Sequence, residues 1–181
     1  KVGENFHSSD ALFYNYDSKT ALGGFLQRTI RAKHNRELRL EVLKMAVIEE
    51  LIRQEDNGTI SFGNHLMDEK KKVLDFEVNG DLYKVKTFCE ITKLEKNSKM
   101  LLETVPGATV HNFEMDEKGA RFTVEGAEDV QITMELEPET EYKILIDDVN
   151  VGKMKSNLAG KVNFSVELQK NAPSVAIEKI G

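Results

Sequence analysis

Adjacent carboxylates are the first residues of this chain that could carry chemistry. Asp147 and Asp148 stand side by side after a β-favouring run, and neighbouring acids in a loop can bind calcium or share a proton. A solvated turn is the commoner role of such a pair, and it is the role that we expect. Asp116-Glu117 and Glu55-Asp56 are interpreted in the same way, because none of the three pairs has the glycine and terminal glutamate of a calcium loop.

Three other side chains could act as ligands, bases or nucleophiles. His65 and His111 lie far apart in the sequence, and neither has a second histidine or cysteine at the spacing of a zinc site. We therefore expect both to be structural or surface residues. Cys89 has no cationic cluster or histidine beside it in the sequence, so we expect a small buried or half-buried residue rather than a nucleophile.

The residue content gives little support for a cofactor or a sugar site. Gly23-Gly24 is not followed by the Gly-Lys-Ser or Gly-Lys-Thr of a phosphate loop, so nucleotide chemistry has no support. Five aromatic residues could form a platform for a sugar: Phe62, Tyr83, Phe88, Phe113 and Tyr142. Most of them alternate with polar residues at core spacing, which predicts packing. We predict no catalytic residue, no cofactor and no metal ligand.

The charge balance and the cysteine count limit the classes of partner. The chain has 181 residues and a net charge of −6, which argues against a general affinity for nucleic acid. The sequence contains no run of about 20 apolar residues, so it predicts no membrane span. A single cysteine cannot form an intrachain disulfide, and this favours a reducing, cytoplasmic setting.

A change of composition at Met45 predicts that the chain has two structural parts, residues 1–44 and residues 45–181. Residues 1–44 carry a net charge of +3 and four of the six arginines, whereas residues 45–181 carry a net charge of −9. Helical spacing of apolar residues occurs at 22–30 and at 40–47, which indicates a short helical or disordered N-terminal extension. We expect residues 45–181 to form one β domain.

The residues before Met45 suggest where translation begins. The codons of Leu40-Glu41-Val42 can spell a purine-rich ribosome-binding element at a workable distance from the Met45 codon. We therefore hypothesise that translation starts at Met45 and that residues 1–44 belong to an upstream reading frame. A genuine helical extension is the alternative. The intact mass of the native protein distinguishes the two, since retention of residues 1–44 excludes the hypothesis.

Short alternating runs dominate the sequence after residue 45. They predict an all-β domain, an antiparallel β-sandwich of immunoglobulin-like or jelly-roll type. The clearest hairpin joins 73–78 to 81–88 through Asn79-Gly80, a strong signal for a tight turn. Alternation assigns to the core Leu74, Phe76, Val78, Tyr83, Val85, Phe122, Val124, Ile132, Met134 and Leu136.

The two ends of the domain are less regular. Residues 47–53 and 59–62 are typical of a hairpin around Asn57-Gly58, with a helix over 46–54 as the alternative. Near the C-terminus the expected elements are a strand at 142–146, a tight return over 147–152, and strands at 162–168 and 174–177. This order is typical of the closing half of a sandwich.

Five segments of the domain resemble a known family. They are MAVIEELIR at 45–53, TISFGN at 59–64, GDLYKVKTF at 80–88, EITKLE at 90–95 and ELEPETEYK at 135–143. The chain resembles a family of short proteins from anaerobic Clostridia that carry the name endosialidase, over nearly all of residues 45–181 and none of 1–44. Cys89 and residues 97–101 depart from the family pattern. The family name implies hydrolysis of sialic-acid polymers.

The residue content argues against that activity. Sialidases typically hold the carboxylate of the substrate with three arginines, because the planar guanidinium matches a carboxylate. Residues 45–181 contain only Arg53 and Arg121. The Trp-containing boxes of sialidase propellers are missing, and the chain is too short for several four-stranded blades.

The sequence supports three hypotheses about function. The leading one is a non-enzymatic binding or assembly module with an unknown protein partner, or one that self-associates. The second is a glycan-associated protein, either a carbohydrate-binding module or an accessory protein of a sialic-acid enzyme. The third is a small hydrolase that uses Asp147 or Asp148.

Overall fold

The structure, a computed structural model, describes residues 33, 47–168 and 172–180. The chain divides into two units, Lys1–Val42 and Leu43–Gly181, and the strands of the described residues lie in the second. The boundary predicted at Met45 and the helical segments predicted before it lie outside the described residues, so they stay predictions. No helix in the described part of the chain is long and apolar enough to cross a membrane.

The second unit is built of β-strands connected by short turns. Its described residues form thirteen strands. They are β1 (Ile52–Gln54), β2 (Ile60–Phe62), β3 (Lys71–Val78), β4 (Asp81–Phe88), β5 (Ile91–Lys96), β6 (Lys99–Val105), β7 (Thr109–Asp116), β8 (Gly119–Glu125), β9 (Val130–Glu135), β10 (Glu141–Ile146), β11 (Val149–Lys155), β12 (Lys161–Val166) and β13 (Ser174–Lys179).

The strands form two sheets. Sheet A has the order β1-β2-β7-β8-β13-β10-β11, and sheet B has the order β12-β9-β6-β5-β4-β3. Neighbouring strands pair antiparallel throughout both sheets. The predicted all-β antiparallel sandwich is therefore confirmed, and the finer immunoglobulin-like or jelly-roll assignment stays a prediction.

One hydrophobic core lies between the two sheets. Its large, fully buried side chains come from both sheets: Phe62, Phe122 and Ile177 from sheet A, and Leu94, Leu102, Ile132 and Met134 from sheet B. Burying a side chain of this size stabilises the fold by roughly 1.5–3 kcal/mol. Alternation predicts most of this core correctly, because every second residue of β4, β8 and β9 is buried.

Three hairpins are closed by two-residue turns with positive φ at both turn residues, as type I′ turns require. These turns are Asn79-Gly80, Asn97-Ser98 and Asp147-Asp148. Gly80 has a φ of +85° and no atom within 4 Å of the site of a Cβ, so the backbone angle alone favours glycine there.

The assignment of Leu74 to the core is wrong. Its side chain is 59% exposed, because β3 contains a bulge between Val73 and Phe76 in which Asp75 adopts a φ of +55°. The extra residue shifts the alternation. Val73 and Phe76 consequently pack against the core on either side of the bulge.

Two other expected elements differ from the structure. The return expected over 147–152 comprises only Asp147-Asp148, and the next residues form β11 (Val149–Lys155), a strand that the sequence analysis missed. The expected hairpin around Asn57-Gly58 is confirmed, but β1 has only three residues and Leu51 before it has a φ of +70°.

Candidate functional site

Asp147 and Asp148 form the tip of the β10–β11 hairpin. Asp147 Oδ1 accepts a hydrogen bond from the backbone N–H of Ser174 at 2.9 Å, which fixes the start of β13 beside the hairpin. The carboxylate of Asp148 lies 3.7 Å from the guanidinium of Arg121. The pair thus acts as a turn, as expected, and no third acid joins it among the described residues.

The other acidic pairs are also used by their own turns. Asp116 Oδ1 accepts hydrogen bonds from the N–H groups of Lys118 and Gly119 at 2.8 and 3.1 Å. Glu55 accepts a hydrogen bond from Arg53 Nε at 2.8 Å. A hydrogen bond from Ser61, followed by the one from Arg53, lowers the pKa of Glu55. These contacts stabilise turns and strand ends, and they do not bring the acidic pairs together.

His65 lies in the core, against β7. Its Nδ1 is 2.8 Å from Thr109 Oγ1, the geometry of a base beside a hydroxyl nucleophile. Thr109 is fully buried and His65 is 7% exposed, so no substrate can reach the hydroxyl. Burial lowers the pKa of His65, and the charge of His111 lowers it further. The arrangement therefore satisfies a buried polar pair, in agreement with the structural role expected for His65.

His111 lies close enough to His65 for their charges to interact, which the sequence analysis missed. His111 Nε2 is 3.5 Å from Glu125 Oε2 on the neighbouring strand. Both atoms are buried and make no hydrogen bond within the described residues, so they form an ion pair only when His111 is protonated. No group of three or more potential ligands in the described part of the chain could hold a metal ion.

Cys89 is exposed, so the buried or half-buried position expected for it is wrong. It lies in the two-residue turn between β4 and β5, where its backbone is fully used. Its N–H donates to Met67 O at 2.8 Å, and its carbonyl accepts from Gly107 N–H at 2.9 Å. Cys89 therefore belongs to a turn with a structural role, and its thiol is exposed there.

The aromatic residues that could have formed a sugar platform mostly fill the core, as expected. The buried ones are Phe62, Tyr83, Phe113 and Tyr142. The Phe62 and Phe113 rings meet edge-on with centroids 5.8 Å apart. Phe88 differs from them, because its half-buried side chain lies on the outer face of sheet B.

The two arginines of the domain do not meet. Arg53 on β1 pairs with Glu55 at 2.8 Å. Arg121 on β8 lies 3.7 Å from Asp148 and 3.8 Å from Glu178. Three strand spacings separate β1 from β8, about 14 Å. Arg53 and Arg121 therefore cannot bind the same carboxylate group.

A cleft opens on one side of the sandwich, between the edge strands β11 and β12. Its volume is about 940 Å³, within the range typical of ligand sites. Its apolar lining residues are Ile144, Ile146, Val151, Met154, Phe164 and Pro173. Val149 and Val151, in the first half of β11, are 64% and 55% exposed. We call this cleft with Val149 and Val151 the β11–β12 side.

The opposite edges of the two sheets carry features that hinder pairing with another chain. β1 is three residues long. β3 is bulged at Asp75 and begins with Lys71 and Lys72. Short strands, bulges and lysines are the usual means of blocking edge-to-edge pairing. β11 has seven residues and exposes two valines in its first half, and it too carries a bulge, at Val151, with Lys153 and Lys155 in its second half.

The outer face of sheet B carries three lysines in a row across neighbouring strands. Lys72 lies opposite Lys86, and Lys86 lies opposite Lys93. Lys93 pairs with Glu95 at 3.1 Å, whereas Lys72 and Lys86 have no ion pair with any described residue. Like charges in facing positions destabilise a sheet. Phe88 lies two residues beyond Lys86 on the same face, so cationic and aromatic groups are adjacent here.

Comparison of the chain with protein-family models, with curated proteins and with solved structures gave no significant match. The resemblance to the endosialidase family accordingly stays a prediction, and function has to be argued from the geometry.

Proposed function

We propose that this chain is a non-enzymatic binding or assembly module that docks a protein, either a different chain or a copy of itself, on the β11–β12 side. The observation that carries the proposal is the exposure of Val149 and Val151 on β11 beside an apolar-lined cleft at two sheet edges. Clustered apolar exposure of this kind is typical of protein interaction sites. A free sheet edge adds backbone groups that a partner strand can bind.

The state of the ionisable groups supports a non-enzymatic role. The acids singled out from the sequence are engaged at turns, and the hydroxyl beside His65 is shielded from solvent. A reducing compartment such as the cytoplasm fits the exposed, unpaired thiol of Cys89.

Site-specific photo-crosslinking tests the proposed surface. We expect benzoylphenylalanine at position 151, expressed in the cells that naturally make the protein, to give one discrete crosslinked species. The matched control is the same residue at position 74, because Leu74 is 59% exposed but lies on the far edge of sheet B. Equal crosslinking at both positions, or none at 151, contradicts the proposal. The mass of the species shows whether the partner is another copy.

An acidic glycan is the second candidate ligand, and the lysine row on sheet B favours it. Within the described part of the chain Lys72 and Lys86 lack a carboxylate partner, and Phe88 beside them offers the only half-exposed ring among the five candidate aromatics. A carboxylate-bearing sugar would neutralise the lysines and stack on the ring.

Titration with a sialyl-oligosaccharide tests this second candidate. Saturable binding that is lost in Lys72→Ala/Lys86→Ala supports it. The control is Lys99→Ala, which removes an exposed lysine from the β5–β6 hairpin. Absence of heat or of chemical-shift change at millimolar sugar excludes it.

A further inference from the structure

We infer that β11 pairs with β11 of a second copy of this chain, antiparallel and around a twofold axis. The inference rests on the proposed function, since it specifies the occupant of the same surface. The pairing extends sheet A from one copy into the next and covers the exposed Val149 and Val151.

The backbone of β11 is available for such a pairing. Among the described residues β11 pairs with β10 on one side only, and its other side is the edge of sheet A. The seven-residue edge presents N–H and C=O groups on both sides of a bulge at Val151, which has no partner on β10 between Asn150 and Gly152. Val149 and Val151 are exposed on this strand, and a second strand alongside would shield them from water.

The charges along the strand select a second copy in antiparallel orientation. The strand is preceded by the acidic turn Asp147-Asp148 and ends in the basic residues Lys153 and Lys155. Antiparallel self-pairing brings the exposed Asp148 of each copy near Lys155 of the other copy, twice per dimer. Parallel pairing would instead place lysine against lysine, which destabilises neighbouring strands.

The lysines are free to make these contacts. Lys153 lies opposite another lysine, Lys143, which is already paired with Glu178 at 2.7 Å. Lys155 lies opposite Glu141 on β10 but forms no ion pair with it. Neither lysine of β11 therefore has a carboxylate partner among the described residues.

The register follows from the symmetry. An axis near Gly152, the middle residue of β11, sets Val149 opposite Lys155 of the second copy. Asp148 precedes Val149 by one residue, so it lies about one residue spacing, roughly 3.3 Å along the strand, from the level of Lys155, whereas Lys153 lies opposite Val151. The contact is isologous, because each copy gives the same acidic turn and receives it on the same lysines.

Charge reversal in the purified full chain tests the pairing by sedimentation equilibrium. We expect wild type to form dimers, and Asp148→Lys or the double variant Lys153→Glu/Lys155→Glu to raise the dimer dissociation constant by about tenfold each. An equimolar mixture of the two variants restores opposite charges across the interface and should recover dimers. Asp148→Asn removes the charge without disturbing the positive φ of the turn, and should weaken dimers by a smaller factor.

The control is Lys70→Glu/Lys71→Glu, which makes the same change of net charge at the start of β3, on the opposite edge of the domain. It should leave the dissociation constant unchanged. Wild type that stays monomeric at low salt overturns the dimer, while crosslinking at position 151 to a different protein would still uphold the proposed function. Pairing through β11 is overturned if both charge-reversal variants keep the wild-type dissociation constant, or if their equimolar mixture does not form dimers again.

Discussion

At the residue scale, the buried ring of His65 makes stability depend on pH. Its pKa in the folded protein lies below the usual 6.5, mainly because of burial. As the pH falls below that value, the unfolded chain takes up the proton before the folded one does. The contribution to stability is complete above the usual pKa and is lost as the pH falls toward the folded pKa.

His65→Asn tests this link. We expect the free energy of unfolding of wild type to fall as the pH drops below the usual histidine pKa of about 6.5, and to fall less in the variant, whose side-chain amide can hydrogen-bond Thr109 as donor or acceptor without titrating. Urea unfolding followed by circular dichroism measures both. At about pH 8 the ring is neutral, so the difference there reports only lost packing. An equal fall in both proteins would contradict the account.

The turn Asn97-Ser98 offers a second residue-scale prediction. Ser98 has a φ of +68°, and its side chain makes no hydrogen bond with the described residues. The other turn residue differs, because Asn97 Oδ1 accepts a hydrogen bond from Leu82 N–H at 2.9 Å. Ser98→Gly should stabilise the protein by about 0.5–1 kcal/mol, because glycine adopts this angle without strain. Ser98→Ala keeps the Cβ and should not stabilise it. Thermal unfolding of the two variants decides.

Single residues could be assigned from sequence where the cause is local. The turn roles of Asn79-Gly80 and Asp147-Asp148 follow from residue type alone. The approach of His111 to His65 could not be predicted, because it depends on how β7 packs beside the loop after β2. The exposure of Cys89 likewise depends on which side of the β4–β5 turn faces solvent.

At the element scale, alternation predicts a strand until the backbone departs from regular pairing. It succeeds in β8 and β9, where no bulge interrupts the residues that face the core. It fails in β3, because the positive φ of Asp75 inserts an extra residue. It misses β11, because this edge strand is mostly exposed and contains Gly152 and two lysines. Its residues therefore do not alternate clearly between apolar and polar.

The bulge in β3 predicts unequal effects for two identical substitutions. Leu74→Ala should change the free energy of unfolding by less than about 0.5 kcal/mol, since the side chain is exposed. Leu102→Ala removes a fully buried side chain and should cost about 2–5 kcal/mol. Urea unfolding of both variants compares them directly. A large loss at Leu74 would show that the side chain faces the core after all.

At the scale of the whole molecule, the distribution of charge matters more than its sum. The chain is acidic overall, yet lysines concentrate on sheet B and at the end of β11. The cleft of the β11–β12 side joins residues from β10, β11 and β12 with Pro173. Sequence patterns cannot reveal such a surface, because it forms only where two sheets end side by side.

The proposed interface predicts a response to salt. Contacts between an acidic turn and exposed lysines are screened as the Debye length falls from about 10 Å at 0.1 M to about 3 Å at 1 M. The dimer dissociation constant should therefore rise with sodium chloride, while apolar contacts at Val149 and Val151 keep part of the affinity. Sedimentation across this range measures the trend, and tighter association in salt would contradict the electrostatic part.

Hydrogen exchange of residues 149–155, followed by mass spectrometry, tests the role of this edge most directly. The monomer should exchange these amides faster than those of the interior strands, and the complex with a second copy or another protein should slow them. Amides of the opposite edge strands β1 and β3 should keep their rates. Unchanged exchange in β11, with new protection at β1 or β3, would show that the molecule binds its partner elsewhere.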